Sequence, residues 1–111
     1  MAEVGASGVQ VAFISAPDPA CAATIARALV EEHLAACVNV VPGVRSIYRW
    51  EGAVQDEAET LLIVKTRAER AQALEARVRA LHPYQLPEVL RVEVAGGSPP
   101  YLAWVLEETK P

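Results

Sequence analysis

The sequence predicts an α+β sandwich in the order strand, helix, strand, strand, helix, strand, closed by a further C-terminal helix. Two observations carry this expectation. Four apolar runs with strand character, residues 9–15, 34–50, 59–66 and 89–94, are separated by two segments whose apolar residues recur at helical spacing. The length, 111 residues, supports one domain with a single core and is too short for two.

Taken in order, residues 9–15 (VQVAFIS) carry bulky side chains on both faces, which marks a central strand. Asp18 followed by Pro19 starts the first helix, because aspartate caps free backbone N–H groups and proline suits the first helical position. Ala22, Ile25, Ala26, Leu29 and His33 form its apolar face, while Arg27, Glu31 and Glu32 meet water. His33 is expected to close the helix at the negative end of its dipole.

Residues 34–50 (LAACVNVVPGVRSIYRW) read as a long strand kinked at Pro42-Gly43, where a missing ladder donor and a permissive glycine suit either a bulge or a sheet edge and not the middle of a covered sheet. Beyond the kink Val44, Ser46, Tyr48 and Trp50 share one face, with Arg45 and Arg49 on the other. Glu51-Gly52 begins a turn, and residues 59–66 (ETLLIVKT) are the most continuous apolar run. Thr66 stands three residues before Glu69, the spacing of a capping box, so the second helix is expected to be capped by Thr66. Its apolar face is Ala71, Leu74, Val78 and Leu81, and Pro83 ends it at His82. Residues 89–94 alternate as a last strand, Gly96-Gly97 breaks it, and residues 100–107 form a short helix with Tyr101 and Trp104.

This order is the ferredoxin-like split βαβ pattern, with both helices on one face of a four-stranded antiparallel sheet and the first and third strands in the middle. The other face has only the C-terminal helix to cover it. An open sheet face and a protruding hairpin both point to oligomerisation.

Composition narrows the function. Apolar residues make up 52% and charged residues 22%, and the net charge of −4 is interspersed, so no basic stripe invites nucleic acid. The opening MAEVGASGVQ has no lysine or arginine and no long apolar block, hence no signal peptide, and nothing reaches the length of a membrane span. We expect a cytoplasmic protein, a single domain over 1–111, residues 1–8 flexible and no membrane partner. There is no glycine-rich phosphate loop, HExxH, GxSxG or CxxC, so the chain is not expected to be an enzyme. Cys21 and Cys37 lie roughly 20 Å apart along and beyond the first helix, at about 1.5 Å per residue, too far for a disulfide.

The blocks LAACVNVVPGVRSIYRWEG, LLIVKT, HPYQLPE and YLAW, in this order, resemble the CutA divalent-cation tolerance family over nearly the whole chain. The resemblance implies a homotrimer that pairs strand edges between subunits, and a role in tolerance to copper and other divalent metal ions; it implies no reaction. Copper-binding members use a cysteine in the first strand and two consecutive histidines before the PY. Here Ile14 and Leu81 stand at two of those positions and leave His82.

The topology places Ser15, Asp18, Cys21, Trp50, His82 and Glu88 at one end of the domain and His33 and Cys37 at the other. His82, Cys21 and Glu88 therefore form the candidate metal set, for copper or another divalent metal ion, since imidazole, thiol and carboxylate are its usual donors. Asp18 is taken by its capping role. His82 has a second reading, a hydrogen-bonded helix terminus. Trp50, Tyr84 and Trp104 read as interface packing residues. Glu59 and Lys65, on one face of one strand, read either as a binding pair in an inter-subunit cleft or as an interfacial salt bridge. Two other functions are consistent with the chain: a trimeric small-molecule sensor resembling the PII signalling proteins, and a structural or adaptor trimer.

Overall fold

The structure is a computed structural model and describes residues 7–111. β1 (Val9–Ala16), α1 (Pro19–Glu31), β2 (Cys37–Trp50), β3 (Ala53–Arg67), α2 (Ala71–Leu81), β4 (Leu90–Glu93) and α3 (Pro99–Glu108) follow in the expected order. The strands form one antiparallel sheet in the order β2-β3-β1-β4, so the two most apolar runs occupy its centre.

Strand alternation sends Ala12, Ile14 and Ala16 of β1 and Leu62 and Val64 of β3 to one face, where α1 and α2 close over them with Ala22, Ile25, Leu29, Leu74 and Val78. Each of these residues is at most 1% exposed. Burial of one such leucine or isoleucine side chain stabilises the fold by about 1.5–3 kcal/mol, so this layer dominates the stability. The opposite face carries Val11, Phe13, Leu61 and Ile63, half-buried. α3 covers one end of the domain: Val105 is fully buried, and the Arg67 guanidinium donates to the Leu106 carbonyl at 2.5 Å. On β4, Leu90 and Val92 remain 60% and 51% exposed.

Asp18 caps α1 as expected, accepting the Cys21 N–H at 2.7 Å. The other end differs. His33 lies past the helix with φ of 58°, and the His33 and Leu34 N–H groups donate to the Val30 and Leu29 carbonyls. This is a Schellman turn with histidine where glycine is usual. It drops Leu34 and Ala35 into the core, 7% and 1% exposed, so β2 starts at Cys37 and not at residue 34.

The register shift in β2 falls between Val41 and Val44, with Gly43 at φ 79°, so the predicted kink is a β-bulge on an edge strand. β3 starts at Ala53, well before the expected residue 59, because the polar stretch AVQDEA pairs with the far half of β2. Thr66 does not cap α2: its side chain lies on the core face of β3 and donates to the Leu34 carbonyl at 2.7 Å. A 3-10 turn at Ala68–Arg70 leads into α2 instead, with no side-chain cap. The flexible segment expected at residues 1–8 lies outside the described residues as far as residue 6. Ser7 and Gly8 are anchored, Ser7 Oγ donating to the Val94 carbonyl and Gly8 accepting from the Ala68 N–H.

Candidate functional site

Pro83 forces His82 out of helical geometry, to ψ 136°, and this turns the imidazole under the sheet end. Its Nδ1 accepts the Tyr84 N–H at 3.1 Å, so Nε2 carries the proton and donates to the Ser15 carbonyl at 2.7 Å. The ring is 7% exposed and packs against the Tyr84 ring with centroids 4.6 Å apart. Ser15 also donates from Oγ to Glu88 at 3.4 Å, so it brings His82 and Glu88 to one spot.

Cys21 lies in the first turn of α1 with its side chain half-buried against the core. Burial, and then the negative charge of Asp18, push its thiol above the ordinary value, so it holds its proton more firmly. Among the described residues no hydrogen bond joins the Cys21 thiol to His82 or Glu88, and no three of His, Cys, Asp and Glu gather around one point. These residues do not make a preformed metal chelate: the imidazole spends its lone pair on Tyr84, and the thiol resists the thiolate form a metal takes. At the far end, His33 Nδ1 donates to the Glu108 carbonyl at 3.0 Å, and Cys37 lies 4.0 Å from the Lys65 ammonium.

The same end of the domain contains a cleft of about 690 Å³ between the β2–β3 hairpin and residues 83–88. Ser46, Tyr48 and Trp50 reach it from β2, Glu59 from β3, and Tyr84 and Glu88 from the loop. Tyr84 donates to Glu59 Oε2 at 2.7 Å, and Tyr48 donates to Glu57. Burial, followed by the bond to Glu59, raises the Tyr84 hydroxyl well above the usual tyrosine range. The bond to Glu57, with smaller help from burial and the two glutamates' charge, pushes Tyr48 up to about 12.

Trp50, Ser15 and Glu88 do meet here, as the topology predicts. Within one copy Glu59 and Lys65 stay apart, which leaves both inter-subunit readings of the pair open. Glu59 turns to Tyr84, while the Lys65 ammonium turns to Asn39. The tyrosine–glutamate pairs went unread in the sequence. Their signal was the two-residue spacing of Ser46, Tyr48 and Trp50 beside that of Glu57 and Glu59 on the partner strand.

The class these features define is a small α+β domain whose antiparallel sheet is covered by two helices on one face, extended by a long edge hairpin that walls an aromatic and acidic cleft. The chain belongs to the CutA1 divalent ion tolerance protein family, whose profile matches residues 10–108. It is 51% identical over 100 residues to the divalent-cation tolerance protein CutA of Thermus thermophilus, covering 90% of this chain and 97% of that one. Protein CutA of Mus musculus is 44% identical over 102 residues, and the match spans 92% of this chain but 58% of the mouse protein. The solved structure of the Thermus thermophilus protein superposes with a TM-score of 0.90 at 50% identity, over 92% of this chain and 99% of that one. Among the described residues no helix is long and apolar enough to cross a membrane.

Proposed function

We propose that the chain acts in divalent-cation tolerance as a cytoplasmic, ferredoxin-like homotrimer. The observation that carries the assembly is the uncovered apolar surface of a small domain. Leu90 and Val92 on the edge strand β4, and Ile47, Val54 and Trp50 on the hairpin, are 38% to 65% exposed, an arrangement suited to burial between subunits. The family match supports the role in cation tolerance. Copper or another divalent ion meets the chain, in this reading, at the end of the domain that carries His82, Cys21 and Glu88, without a preformed chelate among the described residues. Contact is weak, on the micromolar scale or looser, about −8 kcal/mol or less favourable. The reason is that the His82 lone pair is free only when the Tyr84 N–H releases Nδ1.

The test is calorimetry with Cu²⁺ and Zn²⁺ on the wild type, His82→Ala and Cys21→Ser. A several-fold loss with His82→Ala is the expected outcome. Undiminished binding would leave His82 as a helix terminus only and move the ion elsewhere, with His33 and Cys37 next to be replaced.

A further inference from the structure

We propose that α3 is a hinged strap, which swings off the sheet as a unit about Gly96-Gly97 and is latched shut by the guanidinium groups of Arg67 and Arg70. Residues 94–98 join β4 to α3 without regular structure. Among the described residues, Ser98 makes no side-chain bond to the first turn of α3, and no atom beyond the neighbouring residues lies within 4 Å of where a Gly96 side chain would begin. The helix itself buries Val105, where α1 buries four residues and α2 three. By apolar burial α3 is therefore the most weakly held of the three helices.

Its fastening is concentrated at the other end. A helix leaves its last carbonyls without partners, and here side chains from three other places in the chain take them. Arg67, at the end of β3, donates from Nη2 to the Leu106 carbonyl at 2.5 Å and from Nε to Thr109 Oγ1 at 3.4 Å. Arg70, in the turn before α2, donates from Nε and Nη2 to the Thr109 and Lys110 carbonyls at 3.2 and 2.6 Å. His33 adds its bond to the Glu108 carbonyl. Hydrogen bonds from charged donors are the strong ones, so the two guanidinium groups together outweigh a single buried valine. An element with little apolar burial, two glycines at one end and side-chain ties at the other opens without the rest of the fold. Opening withdraws Tyr101 and Trp104 from the surface together. It also bares one end of the sheet face that α1 and α2 leave open, the face Arg67 shares with Leu61 and Ile63 by strand alternation. Tyr101 and Trp104 are 44% and 42% exposed on the outer side of the strap, so a second copy packed there presses on the strap and leaves the latch in place.

The test is native-state hydrogen exchange of the whole protein, read peptide by peptide by mass spectrometry. In the wild type the α3 amides are expected to exchange about ten-fold or more faster than those of β1 and β3. Arg67→Met and Arg70→Met should each speed α3 by a further ten-fold or so and leave β1 and β3 unchanged, which also reports that the variant is folded. Glu107→Gln removes the exposed pair with Lys110 on the same helix and should change α3 by no more than about two-fold. Gly96→Ala meets no clash and no left-handed backbone. By restricting the hinge in the open state it should slow α3 about two- to five-fold. Exchange of α3 at the rate of β1 and β3 would overturn the strap, since the helix would then open only with the whole fold. Arginine variants that exchange like the wild type, or a Glu107→Gln that matches them, would overturn the latch. An unchanged α3 rate in Gly96→Ala would overturn the hinge.

Discussion

Tyr84 carries three duties with one residue: its N–H fixes the tautomer of His82, its ring packs on the imidazole, and its hydroxyl serves Glu59. The hydroxyls of Tyr48, Tyr84 and Tyr101 all lie above the ordinary tyrosine value of 10.0, Tyr48 at about 12. A raised value in the folded state means that the fold favours the protonated phenol. That contribution is fully present below pH 10, where the unfolded chain keeps its protons, and is lost for Tyr48 as pH rises from about 10 to about 12. Alkaline titration followed by tyrosinate absorbance should show no tyrosine ionising with the ordinary midpoint while the chain is folded, and stability should fall through this window. A midpoint at pH 10 for Tyr48 would contradict the Glu57 bond. At this scale the sequence was readable only where partners are close along the chain. Asp18 capping Cys21 is local and was read correctly. Thr66 has the same kind of local signature, but a carbonyl 32 positions away, Leu34, claims its hydroxyl. The bond from Tyr84 to Glu59 spans 25 positions and leaves no local trace.

At the scale of elements, the central strands were legible because burial on two sides demands an apolar run, and β1 and β3 have one. The hairpin was half legible. The Pro42-Gly43 kink, the edge position and the turn at residues 51–52 were all written in proline and glycine, whose backbone limits do not depend on the partner. The first six residues of β3 were not. AVQDEA lies where the ribbon leaves the domain, so nothing apolar was required of it, and its pairing with β2 is held by backbone bonds and by the Arg45–Asp56 ion pair. His33 was placed on the apolar face of α1 because its spacing fits. The backbone instead uses that position to leave the helix, and the imidazole reaches across to α3.

For the molecule as a whole, the hairpin sets the shape. The chain measures 43 × 34 × 23 Å with a radius of gyration of 14.6 Å, above the roughly 13 Å expected of a compact domain of this length. A single copy leaves the ribbon and its aromatics without a packing partner. Sedimentation at micromolar concentration should therefore find trimers, and Trp50→Ala should loosen them by about 2 kcal/mol, the scale of an interface hot spot. Monomers alone in the wild type would refute this. The turn that makes the ribbon also has a consequence in time. Glu51 and Gly52 join Trp50 to Ala53 with φ of 50° and 80°, the two positive values of a type I′ turn. Such a hairpin closes in about 1–10 µs, long before β1 and β4, whose partners lie far along the chain, find their places. We expect the turn to act as the seed on which the rest of the sheet is laid. Glu51→Gly removes the strain of a left-handed glutamate, about 1 kcal/mol. Stopped-flow refolding should show that gain as faster folding with the unfolding rate nearly unchanged; slower unfolding with unchanged folding would place the ribbon last instead of first.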